Sequence, residues 1–234
     1  MKRFAALATL GLLAGCGGGT GLPSIDKSID YGSDFGFSSY LDLEDEALLL
    51  SDDILLSSPS ASLPSSGLAG YSGVMVVAPD IDANEGLIGE MRLVADYGSE
   101  RIDGKAVNFW YGEYDIDGNL IGAPQMRQGT LYVASQGFDG ATFEAMALEG
   151  DLEVNGAVRD VSGTLVGGFM GMNGTYIIGL GDDVAVSGTA NQSVYFIAKS
   201  AAHRPGPRDS GPTVDQRSCQ EEGATFLEPA PSCC

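Results

Sequence analysis

A cysteine preceded by two small residues is the place in this sequence that most directly indicates a chemical modification. Cys16 follows Leu13-Ala14-Gly15 and closes an apolar segment that begins after Lys2 and Arg3. That segment is shorter than the roughly 20 residues of a permanent membrane helix, so we interpret residues 1–15 as a lipoprotein signal peptide that is removed. The freed Cys16 would then carry acyl chains such as palmitate, and two or three chains give stable anchoring. An ordinary signal peptide with a chance cysteine is the alternative.

Two loops carry acidic side chains at alternate positions, a pattern that hard cations such as calcium favour. Asp80 and Asp82 lie in the first loop, and Asp115 and Asp117 in the second. Gly86 comes one position late for an EF-hand loop, and the second loop is equally typical of an ordinary hairpin turn. We therefore predict no metal and no cofactor, with these aspartates as the candidate calcium ligands.

The sequence offers little for catalysis. His203 is the sole histidine and lies in a proline-rich stretch, which argues against a Ser-His-Asp or Cys-His arrangement. One histidine also cannot form a zinc site by itself. We therefore predict that the chain is not an enzyme.

An aromatic run at Phe109-Trp110-Tyr111 contains the single tryptophan of the chain. If the run is a strand, Phe109 and Tyr111 share one face and Trp110 lies on the other. The first face is expected to be core. Trp110 is a candidate contact for a partner, because tryptophan is enriched in binding hot spots, although core packing is expected for at least two of the three.

The net charge of −20 limits the partners that the chain can have. Such acidity disfavours nucleic acid and a surface of anionic lipid, so the expected membrane contact is the N-terminal lipid anchor alone. The charge suits solubility, and it would also favour a basic protein ligand.

Composition divides the remaining chain into three parts. Residues 16–66 are acidic and rich in glycine and serine, which predicts a disordered tether. Within it, residues 40–50 could form a brief helical turn or a strand that docks on the barrel, because their apolar spacing fits neither period cleanly. Residues 67–200 form the predicted domain. Residues 201–234 are a proline-rich, irregular tail in which Cys219, Cys233 and Cys234 could form one disulfide of undetermined pairing.

Strand-like segments separated by turn residues fill residues 67–200. We predict strands at 70–78, 87–97, 105–114, 129–136, 141–148, 161–169, 174–180 and 193–199. The connecting sequences Asn155-Gly156 and Asn173-Gly174 tolerate the positive φ angles of tight turns. The pattern predicts an all-β fold, an eight-stranded antiparallel up-and-down barrel, whose interior is either filled or holds one small ligand.

One stretch of this domain resembles a known family. Gly168, Phe169, Gly171 and Asn173 match the glycine- and aromatic-rich motif of the transferrin-binding-protein-B-like lipoproteins, and residues 194–199 resemble the final strand of that family. Met170 and Met172 depart from the motif, where the family has an aromatic residue and a proline. From the residues themselves, Phe169 is expected in the core and the glycines at a sharp bend or a close backbone approach.

The resemblance implies a single barrel on a lipid anchor at the outer membrane, on the cell surface or on the periplasmic side. Relatives bind iron carriers, haem proteins or other proteins through loops and barrel rims. The expected function is therefore a lipid-anchored binding protein whose ligand is a protein or an iron or haem carrier. Two alternatives are a structural envelope lipoprotein and a small-ligand carrier with a hollow barrel.

Overall fold

The structure is a computed structural model that describes residues 23–28, 31, 36–78, 84–115, 117, 119–187 and 189–201. One helix, α1, precedes the strands and spans Tyr40–Leu55. The strands are β1 (Leu68–Ala78), β2 (Glu85–Asp96), β3 (Arg101–Glu113), β4 (Gln125–Arg127), β5 (Gly129–Gln136), β6 (Thr142–Val154), β7 (Ala157–Met170), β8 (Tyr176–Val186) and β9 (Thr189–Ser200).

The strands form a closed antiparallel barrel. Each strand pairs with its neighbours in the order β2-β1-β9-β8-β7-β6-β5-β3, and the β2–β3 pairing closes the ring. The short strand β4 continues the position of β5 along the far end of β3, where Trp110 pairs with Met126. Closure leaves no long unpaired edge. The predicted eight-stranded up-and-down barrel is confirmed.

Tight turns set the register of the hairpins as their residue types predict. Asn155 and Gly156 have φ angles of 53° and 74° between β6 and β7. Asn173 and Gly174 have φ angles of 56° and 71° between β7 and β8. Asparagine and glycine reach this left-handed region at low cost, so both turns can stay short.

Large side chains fill the barrel interior. The bulkiest of the fully buried residues include Phe109, Phe143, Phe169, Phe196, Met75, Met91, Met146 and Leu131. They belong to one continuous apolar cluster to which every one of the eight barrel strands contributes. Burial of this surface is the main force holding the barrel closed, because apolar side chains gain about 1.5–3 kcal/mol each on leaving water.

Helix α1 begins at a capped serine and lies across β1, β2 and β9. The Ser39 hydroxyl accepts a hydrogen bond from the Asp42 amide, and the Asp42 carboxylate accepts bonds from Ser38 and Ser39. These bonds, first of all the one from the Ser39 side chain, hold the pKa of Asp42 below its usual value. The side chains at positions 43, 47, 50 and 54 are buried against the barrel, as the 3.6-residue period requires.

Several of the described residues before β1 contact the barrel wall. The Lys27 ammonium lies 2.9 Å from the Glu149 carboxylate on β6. The Phe37 amide donates to Glu90 on β2, and the Ser60 amide donates to the Phe169 carbonyl on β7. Composition gives no signal for these contacts, because they depend on residues far away in sequence.

Candidate binding surfaces

Several residues singled out in the sequence lie outside the described part of the chain. They are Cys16, Asp80, Asp82, His203, Cys219, Cys233 and Cys234. The lipidation site and the first candidate calcium loop therefore stay predictions.

The first turn of α1 is held on the barrel by a pair of tyrosines. The hydroxyls of Tyr40 and Tyr114 are hydrogen-bonded to each other, and Tyr114 donates to the Glu44 carboxylate over 2.8 Å. Because the Tyr114 hydroxyl donates its hydrogen bond to Glu44, it accepts the hydrogen bond from the Tyr40 hydroxyl. Burial raises the pKa of Tyr40 to about 12, so the pair stays neutral near pH 7.

A glycine makes room for this contact. A Cβ atom at Gly112 on β3 would lie 2.6 Å from the Tyr40 hydroxyl oxygen, closer than real Cβ contacts. Gly112 therefore lets the hydroxyl end of Tyr40 approach the strand closely. Gly112 is therefore part of the barrel surface on which the helix packs.

The last turns of α1 are held by an ion pair and a tyrosine. The Asp53 carboxylate accepts hydrogen bonds from Lys199 over 2.9 Å and from Tyr176 over 2.8 Å. The bond from Lys199 is the main reason that the pKa of Asp53 lies below its usual value. Leu50 and Ile54 pack beside this pair against Met170, Tyr176 and Ile197.

Trp110 lies on the outer wall of the barrel beside the helix. It is half-buried and packs at the margin of the cluster that includes Tyr40, Leu43 and Tyr114. Its cross-strand neighbour Met126 is exposed. Phe109 and Tyr111 belong to the interior cluster, so the alternation predicted for this run is confirmed.

The motif that carries the family resemblance has a structural role in the barrel. Phe169 is fully buried, and its ring lies 5.1 Å from that of Phe138 and 5.9 Å from that of Tyr97. A Cβ at Gly168 would collide with the carbonyl oxygen of Ala141. Gly171 and Asn173 adopt φ angles of 75° and 56° in the turn after β7. These residues close one end of the barrel.

The opposite end contains a cavity of about 220 Å³. In its lining, Tyr111 donates a 2.5 Å hydrogen bond to Glu85. This bond is the main reason that the pKa of Tyr111 is raised to about 12. The Arg127 guanidinium lies 5.6 Å from the centre of the Tyr111 ring. Arg127 also approaches Glu153 at 3.8 Å. The charged side chains that line this cavity, Glu85, Arg127 and Glu153, thus contact other residues of the same lining.

In the second candidate calcium loop, the carboxylate of Asp115 forms hydrogen bonds with described residues of the same loop. The Asp115 carboxylate accepts hydrogen bonds from the amides of Asp117 and Asn119 over 2.9 and 2.8 Å. A carboxylate used in this way stabilises the turn itself. Within the described ranges, no group of three or more His, Cys, Asp or Glu side chains could hold a metal ion.

Sequence reasoning did not identify the contacts that hold α1 on the barrel. Tyr40, Tyr114, Asp53 and Lys199 are polar residues whose partners lie more than seventy positions away, so spacing could not reveal them. A start signal was present, because Ser39 is followed three positions later by Asp42, which resembles a helix capping box.

No known protein family matches the chain, and no curated protein matches it. Among the described residues, no helix combines the length and the apolar character that crossing a bilayer requires.

Proposed function

We propose that the chain is a lipid-anchored binding protein of a Gram-negative outer membrane, with a barrel like that of the transferrin-binding-protein-B-like lipoproteins. Its ligand is a protein, with iron or haem carriers as the leading class. The anchor rests on Cys16 and the small residues before it, and the barrel class rests on the motif around Phe169.

The filled interior is the observation that favours a protein ligand over a small ligand held inside the barrel. Four phenylalanines and several methionines and leucines occupy the space in which a hollow barrel would hold a ligand. This filling disfavours the small-ligand carrier. A ligand would therefore bind to the outer wall or to a rim, where recognition surfaces for proteins are usually found.

The anchor is tested by metabolic labelling with a palmitate analogue in a Gram-negative host. The full chain should incorporate the label and sediment with outer membranes, and Cys16→Ser should abolish both. Cys219→Ser is the matched control and should leave labelling unchanged. A wild-type chain that takes up no label would overturn the anchor.

The binding role is tested with purified full chain and a panel of purified haem proteins and iron carriers. Saturable binding in surface plasmon resonance to at least one member supports the proposal. A chain that is lipidated and membrane-bound but binds none of them would favour the structural envelope lipoprotein.

A further inference from the structure

Helix α1 exposes leucines among the acidic residues on the side that faces away from the barrel. Its outward leucines are exposed to a large extent: Leu41 61%, Leu49 64%, Leu55 53% and Leu56 91%. A helix that only covered a barrel wall would need no large apolar side chains on this side. An exposed apolar strip of this kind marks a contact for another molecule.

The outward residues follow a seven-residue spacing. Leu41, Leu48 and Leu55 recur at this interval, and so do Asp45 and Asp52, which are exposed. Residues seven apart lie nearly one above the other after two turns, so Leu41, Leu48 and Leu55 form one row. Leu49 and Leu56 form a second row, and Asp45 and Asp52 lie between the two rows. Anchors at this spacing are typical of a helix that packs into a groove or against a second helix.

The apolar surface continues beyond the helix. Leu48 and Trp110 both lie at the margin of the same apolar cluster, and Met126 is the exposed cross-strand neighbour of Trp110. Tryptophan and methionine are enriched in protein interfaces. We call the outward leucines of α1, Trp110 and Met126 the leucine face.

The charges around the leucine face determine what can cover it. The acidic residues of α1 are Asp42, Glu44, Asp45, Glu46, Asp52 and Asp53, and the helix has no lysine or arginine. A second copy would bring Asp45 and Asp52 against the same acids, in a chain whose net charge is −20. Anionic lipid would be repelled in the same way. A complementary surface needs basic side chains beside its apolar strip.

The position of the N-terminal segment supports a protein partner rather than the anchoring bilayer. Ser24 and Lys27 contact Arg101 on β3 and Glu149 on β6, and β6 lies across the ring from β1 under the helix. The chain from Pro23 back to Cys16 spans at most about 25 Å when fully extended. If Cys16 is acylated, as the proposed function has it, the anchor lies within this distance of Pro23, on the side of β3 and β6 rather than of α1.

From these observations we infer that the leucine face docks a protein segment that presents an apolar strip bordered by lysine or arginine. The inference rests on the proposed function, because it assigns the surface through which the lipid-anchored chain binds a protein. Leucines 49 and 56 supply the apolar contact, and Asp45 and Asp52 pair with the basic border.

The probe for the test is a synthetic helical peptide with a leucine strip flanked by lysines. Its binding to the full chain is followed by calorimetry and by the emission of Trp110, the single tryptophan. The peptide should bind saturably and shift the emission, and a matched peptide with glutamate in place of lysine should not bind. Zwitterionic and anionic vesicles complete the set of probes.

Variants on the leucine face identify the site. Leu49→Gln and Leu56→Gln should each weaken the lysine peptide about tenfold, since each removes one buried leucine contact. Asp45→Asn together with Asp52→Asn should weaken it further and reduce its salt dependence. Val158→Gln and Asp160→Asn change exposed residues of β7 in the same manner and should leave the affinity unchanged.

Three results would overturn the inference. If the lysine peptide binds the leucine-face variants and the β7 variants equally well, the net negative charge of the chain alone attracts it. Vesicle binding or self-association that Leu49→Gln and Leu56→Gln abolish would assign the face to lipid or to a second copy. A haem protein or iron carrier that binds wild type and these variants equally would preserve the proposed function and remove the leucine face from it.

Discussion

Lys199 on β9, the last strand, is joined to Asp53 on α1, the first element of the chain, by an ion pair of 2.9 Å. The Asp53 side chain is 44% exposed, so solvent screens the pair and its contribution is below about 1 kcal/mol. Its role is to fix the position of the helix on the barrel. The buried leucine and isoleucine beside it provide most of the attachment.

Replacing the carboxylate in this pair should loosen the end of the helix slightly. Asp53→Ala is expected to lower the free energy of unfolding by less than about 1 kcal/mol and to speed protease cleavage after Leu55. Denaturant titration and limited proteolysis measure the two effects. Asp52→Ala changes the exposed neighbour and is the control; equal effects of both substitutions would remove the ion pair from the attachment.

A methyl group at Gly112 should displace the start of the helix. Gly112→Ala places a Cβ 2.6 Å from the Tyr40 hydroxyl oxygen, and overpacking of this kind costs about 1–3 kcal/mol. Chemical denaturation gives the loss. Gly70→Ala in β1 is the matched control, because a Cβ there meets nothing within 4 Å.

The same substitution should lose its effect when the tyrosine is absent. In a double-mutant cycle with Tyr40→Ala, Gly112→Ala is expected to be nearly neutral, since the colliding ring is gone. Additive losses would show that Gly112 acts on β3 rather than on the helix.

Alkaline pH should release the first turn of α1 before the barrel unfolds. Tyr40 has an ordinary pKa of 10.0 and a folded value of about 12, so its contribution is present below pH 10 and is lost as pH rises towards 12. Burial also raises the pKa of Tyr114. Trp110 fluorescence reports the release of the helix, and tyrosinate absorbance reports the ionisation of tyrosine. The variant Tyr40→Phe has no hydroxyl to ionise at position 40, so it should lack the release that follows ionisation of Tyr40.

Loss of Phe169 should damage stability rather than a binding surface. Phe169→Ala removes a ring that touches Tyr97 and Phe138, and is expected to cost about 3–5 kcal/mol in thermal or chemical unfolding. Met172→Ala, at an exposed position of the same motif region, should be close to neutral. A stable Phe169→Ala variant with impaired binding would instead assign the motif to recognition.

The barrel could be predicted from the sequence because its signals are local. Asparagine and glycine at 155–156 and 173–174 mark the turns, and alternation of large apolar residues such as Met91 and Leu93 marks the inner faces. Each strand therefore carries its own evidence. The observed strands are mostly longer than predicted, as in β6, which extends to Val154 past charged residues on its outer face.

The helix could not be assigned for the opposite reason. Leu43, Ala47 and Leu50 follow the helical period, but Leu41 and Leu49 are apolar on the other side and erase the contrast between faces. The feature that hid the helix in the sequence is also the one that makes its outer side a candidate for docking. The contacts of Lys27 and Phe37 had no local signal, because they depend on where the closed barrel places Glu149 and Glu90.

The position of α1 on the first and last strands of the barrel has a consequence for the order in which the molecule assembles. The helix is made before any strand, yet it rests on β1, β2 and β9, and β9 is the last strand to emerge. The inner side of the helix is therefore completely covered only once β9 has paired with β1. A truncated chain that stopped short of residue 189 would lack one of the three strands on which the helix rests.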